Sequence, residues 1–90
     1  MLIEDIKKNL EQIAPQTTAY QHDNFSIRTV NMCVDECMNG HSHCKAMYLL
    51  TSATLNLIDG KLQLGQWQRI MLVELDRNRS RKIQVQIIGE

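Results

Sequence analysis

The chain has 90 residues, of which 43% are apolar, and ten basic and ten acidic side chains give it a formal net charge of zero. A chain of this length forms one domain, whose hydrophobic core is marginal. Its net charge of zero argues against a general binder of nucleic acids or of anionic membranes, since both need an excess of positive charge. The acidic first residues, the absence of a long apolar run and an odd set of three cysteines predict a cytoplasmic protein with reduced thiols, without signal peptide or membrane span.

The first predicted elements are helices. Apolar side chains recur at helical spacing over residues 2–13, and Pro15 ends this amphipathic helix. A weaker helix is expected from Cys33 toward Met38, where Asn39-Gly40 would break it. A further short helix is expected to carry His43 to Leu49.

The remainder of the chain predicts antiparallel strands. Apolar and polar residues alternate over 53–57 and again over 61–64, and Asp59-Gly60 between them favours a hairpin turn because both positions tolerate positive φ. A longer strand over 67–76 is apolar on both faces and therefore expected to be central, while 82–87 alternates as a half-buried strand. Together the elements predict an α+β domain whose thin sheet has two exposed edges that invite pairing with another chain.

A group of Cys and His residues lies between residues 33 and 45: Cys33, Cys37, His41, His43 and Cys44. All five side chains are of metal-binding type, but their spacing matches no standard zinc module. Free cysteines are more often small buried groups than ligands, so we assign the three cysteines to packing. The two histidines stay candidates for a site, which they would share only outside a helix, because a helix directs them to different faces.

Four more features are candidates for chemistry. His22 precedes Asp23 in an irregular stretch, and a carboxylate can orient an imidazole for metal binding or proton transfer. Lys45 offers a compact charge to phosphate, and the arginines within 77–81 would extend such an anion site. Glu74 interrupts an apolar run, and a buried carboxylate needs a cation, a metal or a histidine. The alternatives are a solvated turn, a solvated lysine, a solvated loop and an exposed strand edge.

Several segments, in order along the chain, resemble the YjbQ-like family, also called secondary thiamine-phosphate synthases. They are the His22-Asp23 element, Asn-Gly-His-Ser-His-Cys-Lys at 39–45, Gly60-x₃-Leu64-Gly65-x-Trp67-Gln68, Glu74 and the terminal 85–90. The resemblance implies an α+β fold in which helices pack on a curved, barrel-like antiparallel sheet, commonly assembled as a trimer. It also implies a weak activity that joins a pyrimidine pyrophosphate to a thiazole phosphate and releases pyrophosphate.

The resemblance assigns roles by position in this chain. It implies that the catalytic residues are His22, Asp23, His43 and Lys45. It implies a divalent metal ion, zinc or magnesium, on His22, His43 and Glu74. The oxygens of a phosphorylated small-molecule substrate would contact Lys45 and Arg81.

The chain departs from the family pattern at two points. Family members usually begin with further strands, which carry a site histidine before a short run of Thr, Ser and Ala. Residues 51–54 echo that run, but Leu50 stands in place of the histidine, and their position before the Asp59-Gly60 hairpin aligns them with a different family strand. Gln66 replaces the usual Thr before Trp67. We therefore expect residues 1–90 to be one YjbQ-like domain truncated at its N-terminus. Two alternatives to an enzyme remain, a non-catalytic metal- or anion-binding oligomer and a structural subunit that pairs through its strand edges.

Overall fold

The computed structural model describes all 90 residues and places two α-helices, one 3₁₀ helix and one antiparallel hairpin along the chain. In order they are α1 (Leu2–Ile13), the 3₁₀ helix (Gln21–Asp23), α2 (Gly40–Ala46), β1 (Leu57–Ile58) and β2 (Lys61–Leu62). The predicted α+β class is confirmed. No helix combines the length and the apolar composition that a bilayer crossing requires.

The first helix, α1, has the bounds that the sequence predicts. Glu4 and Asp5 lie in its first turn, where the helix dipole favours negative charge, and the helix ends two residues before Pro15. Its apolar face is only partly covered, since Leu10 is buried while the side chain of Leu2 is 71% exposed. The packing of α1 is therefore concentrated at the end of its apolar face that carries Leu10.

The helix predicted from Cys33 to Met38 is wrong. This segment forms a single turn, in which the Glu36 N–H donates to the Cys33 carbonyl at 3.2 Å. Val34 is fully exposed and Met38 is 67% exposed, so the segment has no apolar face to bury. Because packing of such a face supplies most of the stability of a short helix, nothing extends this turn into a helix.

The predicted break at Asn39-Gly40 is also wrong, since α2 begins there and includes His43 in its middle. A carboxylate oxygen of Asp23 accepts the Gly40 N–H at 2.9 Å, and this bond satisfies one of the free donors at the start of the helix. A Cβ at Gly40 would lie 2.7 Å from the Cβ of Tyr20. The glycine thus permits a close approach of the 3₁₀ helix region to α2, and it does not end a helix.

The hairpin turn at Asp59-Gly60 is confirmed. Both residues have positive φ, 50° and 73°, as a type I′ turn requires. The register pairs Leu57 with Leu62 and Ile58 with Lys61. Of the residues before β1 that were predicted to belong to the first strand, Asn56 adds one bond to the hairpin, since its carbonyl accepts the Gln63 N–H at 2.9 Å, while residues 53–55 make no backbone hydrogen bond to the second strand.

The strands predicted over 67–76 and 82–87 do not form, and the barrel-like sheet that the resemblance implied is wrong for this chain. The sheet is an open pair of two-residue strands. No backbone–backbone hydrogen bond involves residues 69–90. A strand needs a neighbour to receive its ladder of hydrogen bonds, and two residues of β2 offer too short an edge to bind a third strand.

The molecule is elongated, with principal extents of 55 × 30 × 19 Å. Its radius of gyration of 17.3 Å exceeds the value of about 12 Å that a compact domain of this length has. Its six buried residues all lie in or beside the two helices: Leu10, Ala14, Gly40, His41, Ser42 and Lys45. The core is therefore the junction of α1, α2 and the segment between them.

Candidate functional site

Two of the predicted site histidines come together across separate segments. The ring centroids of His22, on the 3₁₀ helix, and His43, on α2, lie 4.5 Å apart with the rings tilted by 56°. His41 lies two residues before His43 on the same helix, and it is buried on a different side of α2. Since α2 is helical here, only one member of the His-x-His pair joins His22.

Asp23 connects the two segments that carry these rings. Its Oδ1 accepts the Gly40 N–H at 2.9 Å and lies 3.4 Å from Nδ1 of His22. Its side chain is 14% exposed, and that of His22 is 33% exposed. Asp23 therefore positions α2 and faces the neighbouring imidazole at the same time, and its predicted role in orienting that imidazole for chemistry stays a prediction.

Arg28 is a positioning residue that the sequence did not reveal. Its Nε donates to the His22 carbonyl at 2.8 Å, and its Nη2 donates to the Glu36 carboxylate at 2.8 Å. The Cys33 N–H and the Arg28 guanidinium together hold the pKa of Glu36 below its usual range. An arginine in an irregular polar stretch carries no local pattern that would distinguish it, so only the folded contacts identify it.

Lys45 points away from the two imidazoles. Its Nζ donates to Oε2 of Glu11 on α1 at 2.7 Å and lies 3.3 Å from Nδ1 of His41. The Lys45 side chain is only 9% exposed, and its hydrogen bond lowers the pKa of Glu11. The structure thus separates Lys45 from His43, and its predicted contact with substrate oxygens stays a prediction.

An open cavity of about 630 Å³ lies beside the exposed side of α2. It is lined by residues of α2 and its N-cap, of the segment 72–76 and of residues 77–82, which we call the basic loop: Asn39, Ser42, His43, Ala46, Leu72, Val73, Glu74, Leu75, Asp76, Arg79, Ser80, Arg81 and Lys82. We call it the His43 cavity. It brings an imidazole, two carboxylates and three cationic side chains to the walls of one space.

Glu74 and Arg81 form a bidentate ion pair at this cavity. Nε and Nη2 of Arg81 each donate to one oxygen of the Glu74 carboxylate at 2.8 Å. This pairing lowers the pKa of Glu74 from 4.5 to about 2. Arg81 is thus the partner of Glu74, and a cation is one of the three partners that the sequence predicts for this carboxylate.

Asp76 anchors the segment that precedes the basic loop. One of its oxygens accepts from Nδ2 of Asn39 at 3.0 Å and from Arg79, and the other faces the Cys37 thiol at 3.6 Å. The Asn39 amide contributes most to the lowered pKa of Asp76, while burial, then the nearby Asp76 charge, raises the pKa of Cys37. Next to it, the buried Ser42 hydroxyl donates to the Leu75 carbonyl at 2.6 Å.

The predicted metal ligands do not form a metal-binding group in this arrangement. No three side chains of His, Cys, Asp or Glu type converge on one point. His22 and His43 are close, but both oxygens of Glu74 bind the Arg81 guanidinium. Zinc sites use at least three protein ligands, so the two imidazoles alone do not complete a zinc site, and the divalent ion stays a prediction.

The chain is similar to proteins of three archaea. A UPF0047 protein of Methanothermobacter thermautotrophicus is 35% identical over 89 residues, which cover 99% of this chain and 54% of the relative. One of Archaeoglobus fulgidus is 33% identical over 87 residues, or 97% of this chain and 60% of the relative. One of Methanocaldococcus jannaschii is 40% identical over 52 residues, or 58% of this chain and 38% of the relative.

The first two matches cover nearly the whole of this chain but only part of each relative. The chain spans between one half and two thirds of the length of the first two relatives. No solved structure matches it. The family model described as UPF0047 protein YjbQ-like matches residues 1–90. The chain therefore belongs to the YjbQ-like UPF0047 family.

Proposed function

We propose that the protein acts on a phosphorylated small molecule in the His43 cavity, in a reaction of the thiamine-phosphate synthase kind. The observation that carries the proposal is the contact of His22 with His43 at a cavity whose other wall is the basic loop. Imidazoles transfer protons and guanidinium and ammonium groups bind phosphate oxygens, so the two walls supply complementary chemistry.

The reaction joins two rings and releases pyrophosphate. A ring nitrogen of the thiazole phosphate forms a bond to the carbon that bears the pyrophosphate on the pyrimidine. The C–O bond to pyrophosphate breaks, and the leaving group takes the electron pair. Negative charge therefore grows on the departing oxygens, and preorganised cations lower the barrier by stabilising that charge.

The chain's own residues divide this work. Lys82 lines the cavity and takes part in no ion pair, so its ammonium is free to contact the departing pyrophosphate. His43, exposed at the cavity wall, donates a proton to a pyrophosphate oxygen as it leaves. His22 supports the ring of His43 from the other side, and Asp23 keeps their two segments together.

Substitution of the cavity imidazole tests the proposal. The full chain is incubated with the two thiamine precursors, and the release of pyrophosphate and the formation of thiamine phosphate are both measured. We expect His43→Ala to lower turnover by about 10²- to 10⁴-fold, the usual contribution of one general acid. Since the His43 side chain is exposed and makes no hydrogen bond, and its backbone bond to the Asn39 carbonyl does not depend on the imidazole, circular dichroism of the variant should match that of the parent.

Arg77→Gln provides the matched control. Arg77 belongs to the same basic loop, but it pairs with Asp35 at 2.7 Å and does not line the cavity. Its replacement should leave turnover unchanged. Equal turnover of His43→Ala and the parent would contradict the proposed role of His43.

A second candidate is anion binding without turnover. Two of the three cations at the cavity already have carboxylate partners, Arg79 with Asp76 and Arg81 with Glu74. Such paired cations still bind an anion, but they stabilise developing charge less than free ones do. Calorimetric titration with inorganic pyrophosphate separates the candidates: binding that Lys82→Gln weakens, in a protein without turnover, supports the second one.

A further inference from the structure

The Glu74–Arg81 pair places an anion of the chain itself on a cation of the His43 cavity. Both residues line the cavity, and Nε and Nη2 of Arg81 each donate to one carboxylate oxygen at 2.8 Å. A guanidinium presents the same fork of N–H groups to a carboxylate and to a phosphate. Glu74 therefore uses the two donors that a phosphate group would use at Arg81.

Of the two partners, Glu74 is the one that the fold holds in place. The Ser42 hydroxyl donates to the Leu75 carbonyl at 2.6 Å, so the segment that carries Glu74 is tied to α2. The Asp76 N–H donates to Oε1 of Glu74 at 3.2 Å, and this bond does not involve the arginine. Arg81 makes no hydrogen bond other than the two to Glu74, and its side chain is 43% exposed. The arginine can therefore change partner while the carboxylate stays in place.

We propose that Glu74 is a built-in competitor that weakens the hold of the His43 cavity on pyrophosphate by binding Arg81 in its place. This inference rests on the proposed function, because it concerns how that same cavity binds and releases its anion. When pyrophosphate binds, Arg81 exchanges the carboxylate for phosphate oxygens. When pyrophosphate leaves, the carboxylate returns to Arg81, so the cation regains a partner.

Such competition suits a site whose product is a dense anion. Cations that stabilise the charge developing on a leaving group also retain that group after the bond has broken. A carboxylate seven residues from Arg81 in the same chain competes at an effective concentration that does not depend on the solution. The consequence for the proposed reaction is a faster release of pyrophosphate from Arg81.

Calorimetric titration of the full chain with inorganic pyrophosphate tests the competition. Glu74→Gln keeps the shape of the side chain and an oxygen that accepts the Asp76 N–H, but it removes the charge that holds Arg81. We expect this variant to bind pyrophosphate about two- to fivefold more tightly, the scale that a partly exposed ion pair supports. Circular dichroism should show unchanged helix content, because Glu74 lies outside both helices.

Two further variants separate the competition from a general effect of charge. Asp59→Asn removes the same charge at the hairpin turn, outside the cavity, and should leave the affinity unchanged. Asparagine tolerates the positive φ of that position. In an Arg81→Gln background the contested cation is absent, so Glu74→Gln should no longer tighten binding. The four proteins of this double-mutant cycle measure the coupling between Glu74 and Arg81.

Tighter binding by Glu74→Gln that disappears in the Arg81→Gln background supports the proposal. Unchanged or weaker binding in Glu74→Gln would overturn it, and so would an equal gain without Arg81 or an equal gain in Asp59→Asn. If neither the parent nor Glu74→Gln binds pyrophosphate, this inference and the proposed function both fail.

Turnover of the two thiamine precursors, measured on the same samples, separates the two failures. Turnover in the parent, without any effect of Glu74→Gln on pyrophosphate binding, contradicts this inference alone. The coupling between Glu74 and Arg81 in a protein without turnover contradicts the proposed reaction alone and supports the competition.

Discussion

Gly40 is a residue where two general effects oppose each other. In a helix, alanine is favoured over glycine by about 1 kcal/mol. Here an added Cβ would lie 2.7 Å and 2.9 Å from Cβ and Cγ of Tyr20, and 3.1 Å from Oδ1 of Asp23. The Tyr20 Cβ is fixed close to the backbone, so this overlap is not relieved by a small rotation of a flexible side chain.

We therefore expect Gly40→Ala to destabilise the protein by about 1–3 kcal/mol, the usual cost of overpacking. Urea unfolding followed by circular dichroism measures the change. Gly65→Ala is the control, because a Cβ there meets its nearest neighbour at an ordinary 3.7 Å. An equal or smaller effect at Gly40 would show that Tyr20 gives way.

Glu74 supplies a pH-dependent contribution with a definite sign. Its pKa falls from 4.5 to about 2 in the folded protein, chiefly because Arg81 donates to it. A carboxyl with a lowered folded-state pKa stabilises the fold above its unfolded pKa, and this contribution is lost as pH falls through the folded value. The relevant window therefore runs from pH 4.5 down to about 2.

NMR titration of the Glu74 carboxyl carbon checks this prediction. The midpoint should be at about 2 in the parent and should rise toward 4.5 in Arg81→Gln. Arg77→Gln, which removes a nearby charge that is paired with Asp35, should leave the Glu74 midpoint close to its original value. A midpoint that Arg81→Gln does not move would disprove the bidentate pair in solution.

At the scale of elements, one ion pair fastens α2 to α1. The Lys45 side chain is 9% exposed, whereas that of Glu11 is 47% exposed. Removing the lysine and removing the glutamate therefore have different consequences for the charge that remains. A carboxylate without its lysine is rehydrated, but an ammonium without its glutamate stays largely buried without a counter-charge.

We expect Glu11→Gln to lower the urea midpoint more than Lys45→Met does, since methionine fills much of the space of the lysine stem. Lys7→Met on the same helix, which forms no ion pair, is the control and should have little effect. The reverse order of the two midpoints would mean that the buried ammonium finds adequate compensation in His41, 3.3 Å away.

The elements that are determined by residues close together in the sequence were predictable. The bounds of α1 follow from its spacing and Pro15, and the Asp59-Gly60 turn follows from the conformations that its residues tolerate. The start of α2 was not predictable, because it depends on a carboxylate 17 positions earlier in the chain. The strands after Gly65 failed for a related reason, since a strand forms only beside a partner.

Part of the candidate site was predictable from the sequence, and the part that depends on contacts between distant residues was not. Residue type marked His22, Asp23, His41 and His43 as candidates, the family resemblance selected His43 over His41, and the fold brings His22 and His43 together. Residue type could not indicate that Lys45 turns toward α1, because that direction depends on the helical phase of α2 and on the position of Glu11. Arg28 acts through a backbone carbonyl, and such contacts leave no pattern in a sequence.

At the scale of the whole molecule, the large solvent-accessible surface is the dominant feature. Six of the 90 residues are buried, and the accessible surface of 8610 Å² exceeds the value of about 5,400 Å² that a compact monomer of 10.4 kDa exposes. The trimer that the family resemblance implies stays a prediction, and sedimentation equilibrium of the purified chain should then give three times the monomer mass of 10.4 kDa. A monomer mass in that measurement would contradict the predicted trimer.

The bond between Asp23 and the Gly40 N–H has a consequence for measurement. The amide proton at Gly40 is protected only while the segment of His22 is docked on the helix of His43. Its hydrogen-exchange rate therefore reports how often the two imidazoles separate, without any substrate. One resolved amide signal would follow the opening of the candidate site across temperature, pH and protein concentration.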